Sequence, residues 1–249
     1  MIPVPDISYI DGGLRRHTEE ILAAFDDQGQ PPDADPRPVL AGLAELLERL
    51  HRQEAGESQA SAAGTGAEPS AHDLHLWADH GIDLLARLAA IAGRLHRPQE
   101  ARAVEGLTLP FACWIGRRGG EISNLAPVVN AVAGLANGLG DPADLERLYP
   151  LVSEVVQAVS PQVAQDGIGI DPTRPWRVLL LNQAIVATRS HQPALMDEAF
   201  TQLVEHLPQE APEFFREGME QMEARNYPSQ VRLVMQRWYQ HWGEQRTLH

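Results

Sequence analysis

Apolar residues recur every three or four positions along most of the chain. Leu40, Leu43, Leu47 and Leu50 fall on one helical face, as do Leu74, Trp77, Leu84, Leu85, Leu88 and Ile91 further on. Leu145, Leu148, Val152, Val155, Val156 and Val159 repeat the pattern, and Val231, Val234, Met235, Trp238 and Trp242 form a last stripe. Punctuation separates these runs. The first convincing helix covers about 13–25 and stops before Pro31-Pro32-Asp33; the second follows Asp35-Pro36. Pro98 starts a helix that Pro110 is expected to interrupt before 111–115, and Gly119-Gly120 ends that segment. Ser123 or Asn124 can cap the run to Leu139, and Asp141-Pro142 is a capping carboxylate followed by proline at the first helical position. After a loop at 166–172, four helices are expected near Pro175, Pro193, Pro208 and Pro228. The apolar run 178–181 sits inside a helical pattern that ends near Arg189. About ten helices and no clear strand make the fold all-α. Short connections predict antiparallel helical hairpins, stacked as a short α-solenoid or an orthogonal bundle.

The composition shifts once. Residues 54–71 include Gly56, Ser58, Ser61, Gly64, Thr65, Gly66, Pro69 and Ser70, too little apolar surface to offset ordering entropy. The expected organisation is therefore an N-terminal helical pair over 1–53, a flexible linker over 54–71 and a main helical array over 72–249.

From residue 98 onward the succession of helical pairs resembles the tetratricopeptide-type α-solenoid proteins in architecture. Trp114 is followed by Gly116, and Ala199, Leu203 and Pro208 fit a second-helix pattern, without an exact 34-residue period. The resemblance implies stacked hairpins and assigns no functional residue.

The residue inventory narrows the chemistry. All 20 positive charges are arginine, so Schiff-base chemistry and lysine-dependent phosphate sites have no residue to use. The single cysteine, Cys113, cannot form an intrachain disulfide or a cysteine-rich metal site. No basic, then apolar, leader opens the sequence, and no window approaches the ~20 apolar residues of a membrane-spanning helix. A cytoplasmic protein is expected, with no membrane partner. The formal charge of −14 opposes binding to nucleic acid and favours a basic partner. Residues 1–71 are the most acidic part, with 13 acidic and 5 basic side chains.

Few residue groups point to a site. His72, His75 and Asp79 share a helical face and are the candidate metal ligands, although the same face can simply meet solvent. Glu48 and His51 match one half of a di-iron spacing that lacks its second copy. Residues 166–171 resemble part of a calcium loop without its terminal glutamate. Cys113, among Phe111, Ala112, Trp114 and Ile115, reads as a buried, inert thiol. No cofactor is expected.

More informative are polar residues on apolar helices. Asn130 and Asn137 are seven apart, as are Asn182 and Arg189, so each pair draws a polar line along one helix. Such groups either bond between helices or line a groove, where an amide suits a peptide group and a guanidinium a carboxylate. Trp114 with Arg117 and Arg118, and Trp176 with Arg177, are either packing anchors or interaction hot spots. In the last stripe, Tyr239 falls off the apolar face and is expected to be exposed. The reading that follows is a non-enzymatic scaffold or adaptor that binds a protein or peptide through a groove or a Trp/Arg-rich face. The alternative is an all-α enzyme or small-ligand or metal binder, its site drawn from His72, His75, Asp79 or the arginine clusters.

Overall fold

A computed structural model describes residues 2–63, 70–165 and 173–243. Among these the chain is all-α, with no strand and one isolated parallel β-bridge between Ile122 and Val159. No described helix is long and apolar enough to cross a membrane. The helices are α1 (Ile7–Asp27), α2 (Arg37–Ala63), α3 (Ala71–Arg94), α4 (Pro98–Gly106), α5 (Thr108–Gly116) and α6 (Ala126–Gly138). They continue as α7 (Pro142–Ala158), α8 (Pro161–Gln165), α9 (Pro175–Arg189), α10 (Pro193–His206), α11 (Ala211–Ala224) and α12 (Ser229–Trp242). A short 3-10 turn, Pro32–Ala34, precedes α2.

Two compact units divide the chain. The first gathers Pro3–Leu135 and Glu154–Ala164, the second Ala136–Ser153 and Gln165–His249. In the first unit α3 packs against α2, α4 and α5, and α1 packs against α2, α4 and α5. The N-terminal helical pair expected over 1–53 is thus part of this unit. Helix α5 is buried at every position from Thr108 to Ile115, as befits a helix that is apolar all round. Side chains at Gly81 would meet Phe111 at 2.5 Å, so this glycine lets α3 and α5 approach closely.

Several boundaries differ from the sequence expectation, each for a local reason. Helix α1 starts six residues early because Asp6 accepts the Tyr9 N–H at 3.1 Å and places Ile7 and Ile10 in the core. The break expected at Pro110 falls instead at Leu107: proline is tolerated in the first turn of α5, where its missing N–H has no helical acceptor. The last-but-one helix begins at Ala211, beyond the expected Pro208. The linker expected from Glu54 is helical as far as Ala63, since the alanines at 55, 60, 62 and 63 favour helix and Glu54 is tied to α5. Residues 64–69, the rest of that linker, and 166–172, the expected loop, lie outside the described residues.

In the second unit α9 packs on α10, and α11 on α12, with α12 also against α10. Only residues 190–192 join α9 to α10, and 225–228 join α11 to α12, so each pair doubles back as a hairpin. Ala211 of α11 lies 36 residues after Pro175 of α9, and Ser229 of α12 lies 36 after Pro193 of α10. Equivalent turn residues His191 and Asn226 both adopt left-handed backbone, at φ 60° and 49°. The two turns touch: the His191 and Tyr227 rings meet edge-on at 5.4 Å, and Gln230 donates to the His191 carbonyl at 3.2 Å.

Candidate functional site

The first aromatic–arginine cluster turns inward. Trp114 is 1% exposed, and its indole N–H donates to Glu54 Oε1 at 2.6 Å. The Arg118 guanidinium covers the ring at 3.8 Å and reaches the same Glu54 oxygen at 3.5 Å. These three side chains close α2 onto α5, so Trp114 presents no surface to a partner. Arg117 lies outside this cluster and grips Glu154 with two bonds, at 2.8 and 2.9 Å. Between them Cys113 is buried; burial, and then the Glu154 carboxylate, push its thiol pKa far up, so it stays protonated and unreactive.

The second cluster is also spent on packing. Trp176 is 6% exposed and meets the His206 ring edge-on at 5.3 Å, while Arg177 pairs with Glu210 at 2.5 Å. Both interactions join α9 to the end of α10 and the start of α11.

The metal candidates do not assemble into a ligand set. His75 Nε2 approaches Asp79 Oδ2 only to 3.8 Å, and His75 Nδ1 lies 3.2 Å from the Glu121 carbonyl. Asp79 Oδ1 instead accepts the backbone N–H groups of Ser123 and Asn124, at 3.1 and 2.9 Å, and holds the chain entering α6. His72 is exposed at the start of α3, where Ser70 and Asp73 form a reciprocal capping box. Among the described residues no three His, Cys, Asp or Glu side chains converge as metal ligands. Of the isolated Glu48–His51 pair, His51 faces Asp11 at 3.7 Å. The calcium-like segment 166–171 lies outside the described residues.

The polar lines separate into two kinds. Asn130 and Asn137 share one face of α6, as their spacing requires, and both are exposed. Arg189, expected to grip a partner's carboxylate, donates to the carbonyls of Ala136 and Leu139 at 2.9 and 2.7 Å. It ties off the end of α6, whose final carbonyls have no helical donor. Seven residues earlier, Asn182 keeps what Arg189 has lost: its Nδ2 is a buried atom with no hydrogen-bond partner among the described residues. Asn182 sits among Val178 and Leu181, both half-buried, and Ile185, which is 43% exposed. Spacings of three, four and seven put these four residues on one face of α9. The opposite face carries Leu179, Leu180, Gln183, Ala184, Val186 and Ala187, all buried. The α9 face is therefore an apolar, half-open strip with one unsatisfied amide donor at its centre.

The sequence sets Asn182 at the end of the apolar run 178–181 but does not say which face of that run is covered, because the helix is apolar on both faces. At the other end of the unit, Phe200, Phe214, Phe215 and Trp238 pack with ring centroids 5.1–5.9 Å apart. Asp197 accepts from Trp238 Nε1 at 2.7 Å and from Arg237. Tyr239, expected in solvent, is half-buried, and Leu233 is the exposed apolar residue of α12, at 66%. No protein-family model, curated protein or solved structure matches the chain.

Proposed function

We propose that this chain is a non-enzymatic, cytoplasmic helical scaffold that holds another protein against the half-open face of α9. The carrying observation is the Asn182 amide donor, unpartnered within a strip of Val178, Leu181 and Ile185. A buried donor left unpaired costs roughly 1–3 kcal/mol; because the Nδ2 atom itself is covered, the Asn182 side chain turns outward into the strip when a partner docks, and the partner's backbone carbonyl then removes that cost. The apolar neighbours supply the buried area, and Asn182 fixes the register of the bound segment. The 36-residue interval between the α9–α10 and α11–α12 hairpins supports a repeat-type array, an architecture suited to presenting such a strip. The net charge of −14 favours a segment with basic residues at its edges.

Affinity capture with the folded chain tests the reading. Ile185→Glu puts a charge on the strip, and Asn182→Leu removes the amide donor at similar volume without burying a charge. Both variants should keep the wild-type circular dichroism and melting temperature and bind the captured protein at least about tenfold more weakly, ~1.4 kcal/mol. Raised salt should slow association without changing the footprint on α9. Undiminished affinity in both folded variants would remove the assignment.

A further inference from the structure

A second recess lies within the first unit, distant in sequence from α9 and built from different chemistry. The turn before α2, the first turn of α2 and the C-terminal half of α3 line a half-open recess of about 460 Å³. That volume lies within the ~300–1,000 Å³ range usual for small-molecule sites. Its apolar floor is made by Val39 and Ile91, which are 3% and 5% exposed. Four charged side chains stand around the floor: Asp33 and Asp35 from the turn, Arg87 and Arg94 from α3.

Their arrangement selects among ligand classes. Two carboxylates and two guanidiniums leave the rim with no net charge, so neither a simple anion nor a simple cation is favoured overall. The signs are, however, separated by element. Both positive groups lie on α3, seven residues apart and so on one face, about 10 Å along the helix. Both negative groups lie on the facing turn. Arg94 is already oriented, because its Nη2 donates to the Asp33 carbonyl at 2.9 Å, a neutral acceptor that uses one of its five N–H donors. Arg87 is held only by a 3.7 Å approach to Asp83, one turn back. Asp35 accepts the Arg37 N–H at 3.0 Å, which fixes the carboxylate at the head of α2, and lies 3.6 Å from the Arg37 guanidinium, which is bound more closely by Asp26 at 2.7 Å.

We infer that this pocket binds a small zwitterion of amino-acid or dipeptide size. The ligand carboxylate meets Arg87 and Arg94, its ammonium meets Asp33 and Asp35, and an aliphatic side chain lies on Val39 and Ile91. Both charges of the ligand find a partner of opposite sign, and the apolar floor sets the preference for an aliphatic residue.

Titration of the full chain with L-leucine and with leucyl-leucine, followed by calorimetry and by amide chemical shifts, tests the assignment. At least one of the two should saturate, with shifts centred on Ala34, Val39 and Ile91. N-acetyl-leucine, which lacks the ammonium, and leucinamide, which lacks the carboxylate, should each bind about tenfold more weakly or worse. Arg87→Gln should weaken the zwitterion at least about fivefold with no change in melting temperature, because Arg87 is mostly exposed and caps nothing. Ile185→Glu, on the other unit, should leave the titration unaltered. No saturation by either probe up to 10 mM, on the order of the weakest affinities a specific small-ligand site provides, would overturn the inference. So would equal affinity for the blocked analogues, or wild-type affinity in folded Arg87→Gln.

Discussion

Glu54, itself half-buried, receives the Trp114 indole N–H and the Arg118 guanidinium on one oxygen, and the indole it serves is 1% exposed. Glu54→Ala leaves a buried indole donor unpaired and frees the arginine that covers the ring. A loss of about 1–3 kcal/mol is expected, read as a lower urea midpoint at unchanged m-value. Glu54→Gln keeps an acceptor and should recover part of it. Cys113 offers a second test at the same scale. Because burial holds its thiol protonated, iodoacetamide at pH 8 should leave the native chain unmodified and label it readily in urea. Both residues also mark what a sequence conceals: an acid in a Gly/Ser-rich segment gives no sign that it lies against a tryptophan 60 residues away.

Among the helices, end groups and close approaches decide stability. Arg189→Ala removes the guanidinium donor from the Leu139 carbonyl and leaves the Ala136 carbonyl only the Leu139 N–H at 3.3 Å; a cost of about 1–3 kcal/mol is expected, whether or not any partner is present. That thermodynamic signature separates its role from that of Asn182, whose loss should affect binding and leave the melt unchanged. Asp79→Ala removes the acceptor for the Ser123 and Asn124 N–H groups, and about 1 kcal/mol is expected, with no change on adding a metal chelator. Glycines divide in the same way. Gly81→Ala drives a methyl into Phe111 and should destabilise by about 1–3 kcal/mol. In α6, Gly134 has nothing within 4 Å of an added Cβ, so Gly134→Ala should stabilise by roughly 0.5–1 kcal/mol. Thermal melts of the two variants should move in opposite directions. The Asp141 cap follows a simple local rule and is legible in the sequence; Asp6 obeys the same rule without an obvious apolar stripe behind it to announce the helix, and Arg189 as a cap is not legible at all, because its acceptors lie about 50 residues away.

For the molecule as a whole, the shifted groups set a pH window. Burial pushes the Tyr149 phenol up to about 12, and the Cys113 thiol upward as well. Both are held neutral in the fold, so the stability they supply is complete below their unfolded values, near 8.5 for cysteine and about 10 for tyrosine. It is lost as pH rises beyond those values, because the unfolded chain releases its protons first. On the acid side, burial raises the Asp197 carboxyl, but bonds from Arg237 and Trp238 outweigh it and hold the group below its ordinary value. Its contribution is present above the unfolded value, near 3.9, and is lost as pH falls through the depressed one. Urea midpoints measured from pH 3 to 11 should therefore describe a plateau that falls at both ends. Replacing Cys113 with alanine or Tyr149 with phenylalanine should flatten the alkaline fall, and Asp197→Asn the acid fall.

The helical class, the order of most helices and several of their starts follow from the amino-acid order alone, since periodicity and capping act over three or four residues and need no distant partner. So does the likelihood of a buried, inert Cys113, from its apolar neighbours. Which polar groups stay available was decided only by folding. Trp114, Arg118, Trp176, Arg177 and Arg189 carry the same chemistry whether they face a partner or a neighbouring helix, and here each meets a group far away in the chain. Among the described residues Asn182 keeps a buried donor without an acceptor, because whether an amide finds its acceptor depends on where other helices end, and no local spacing encodes that distance.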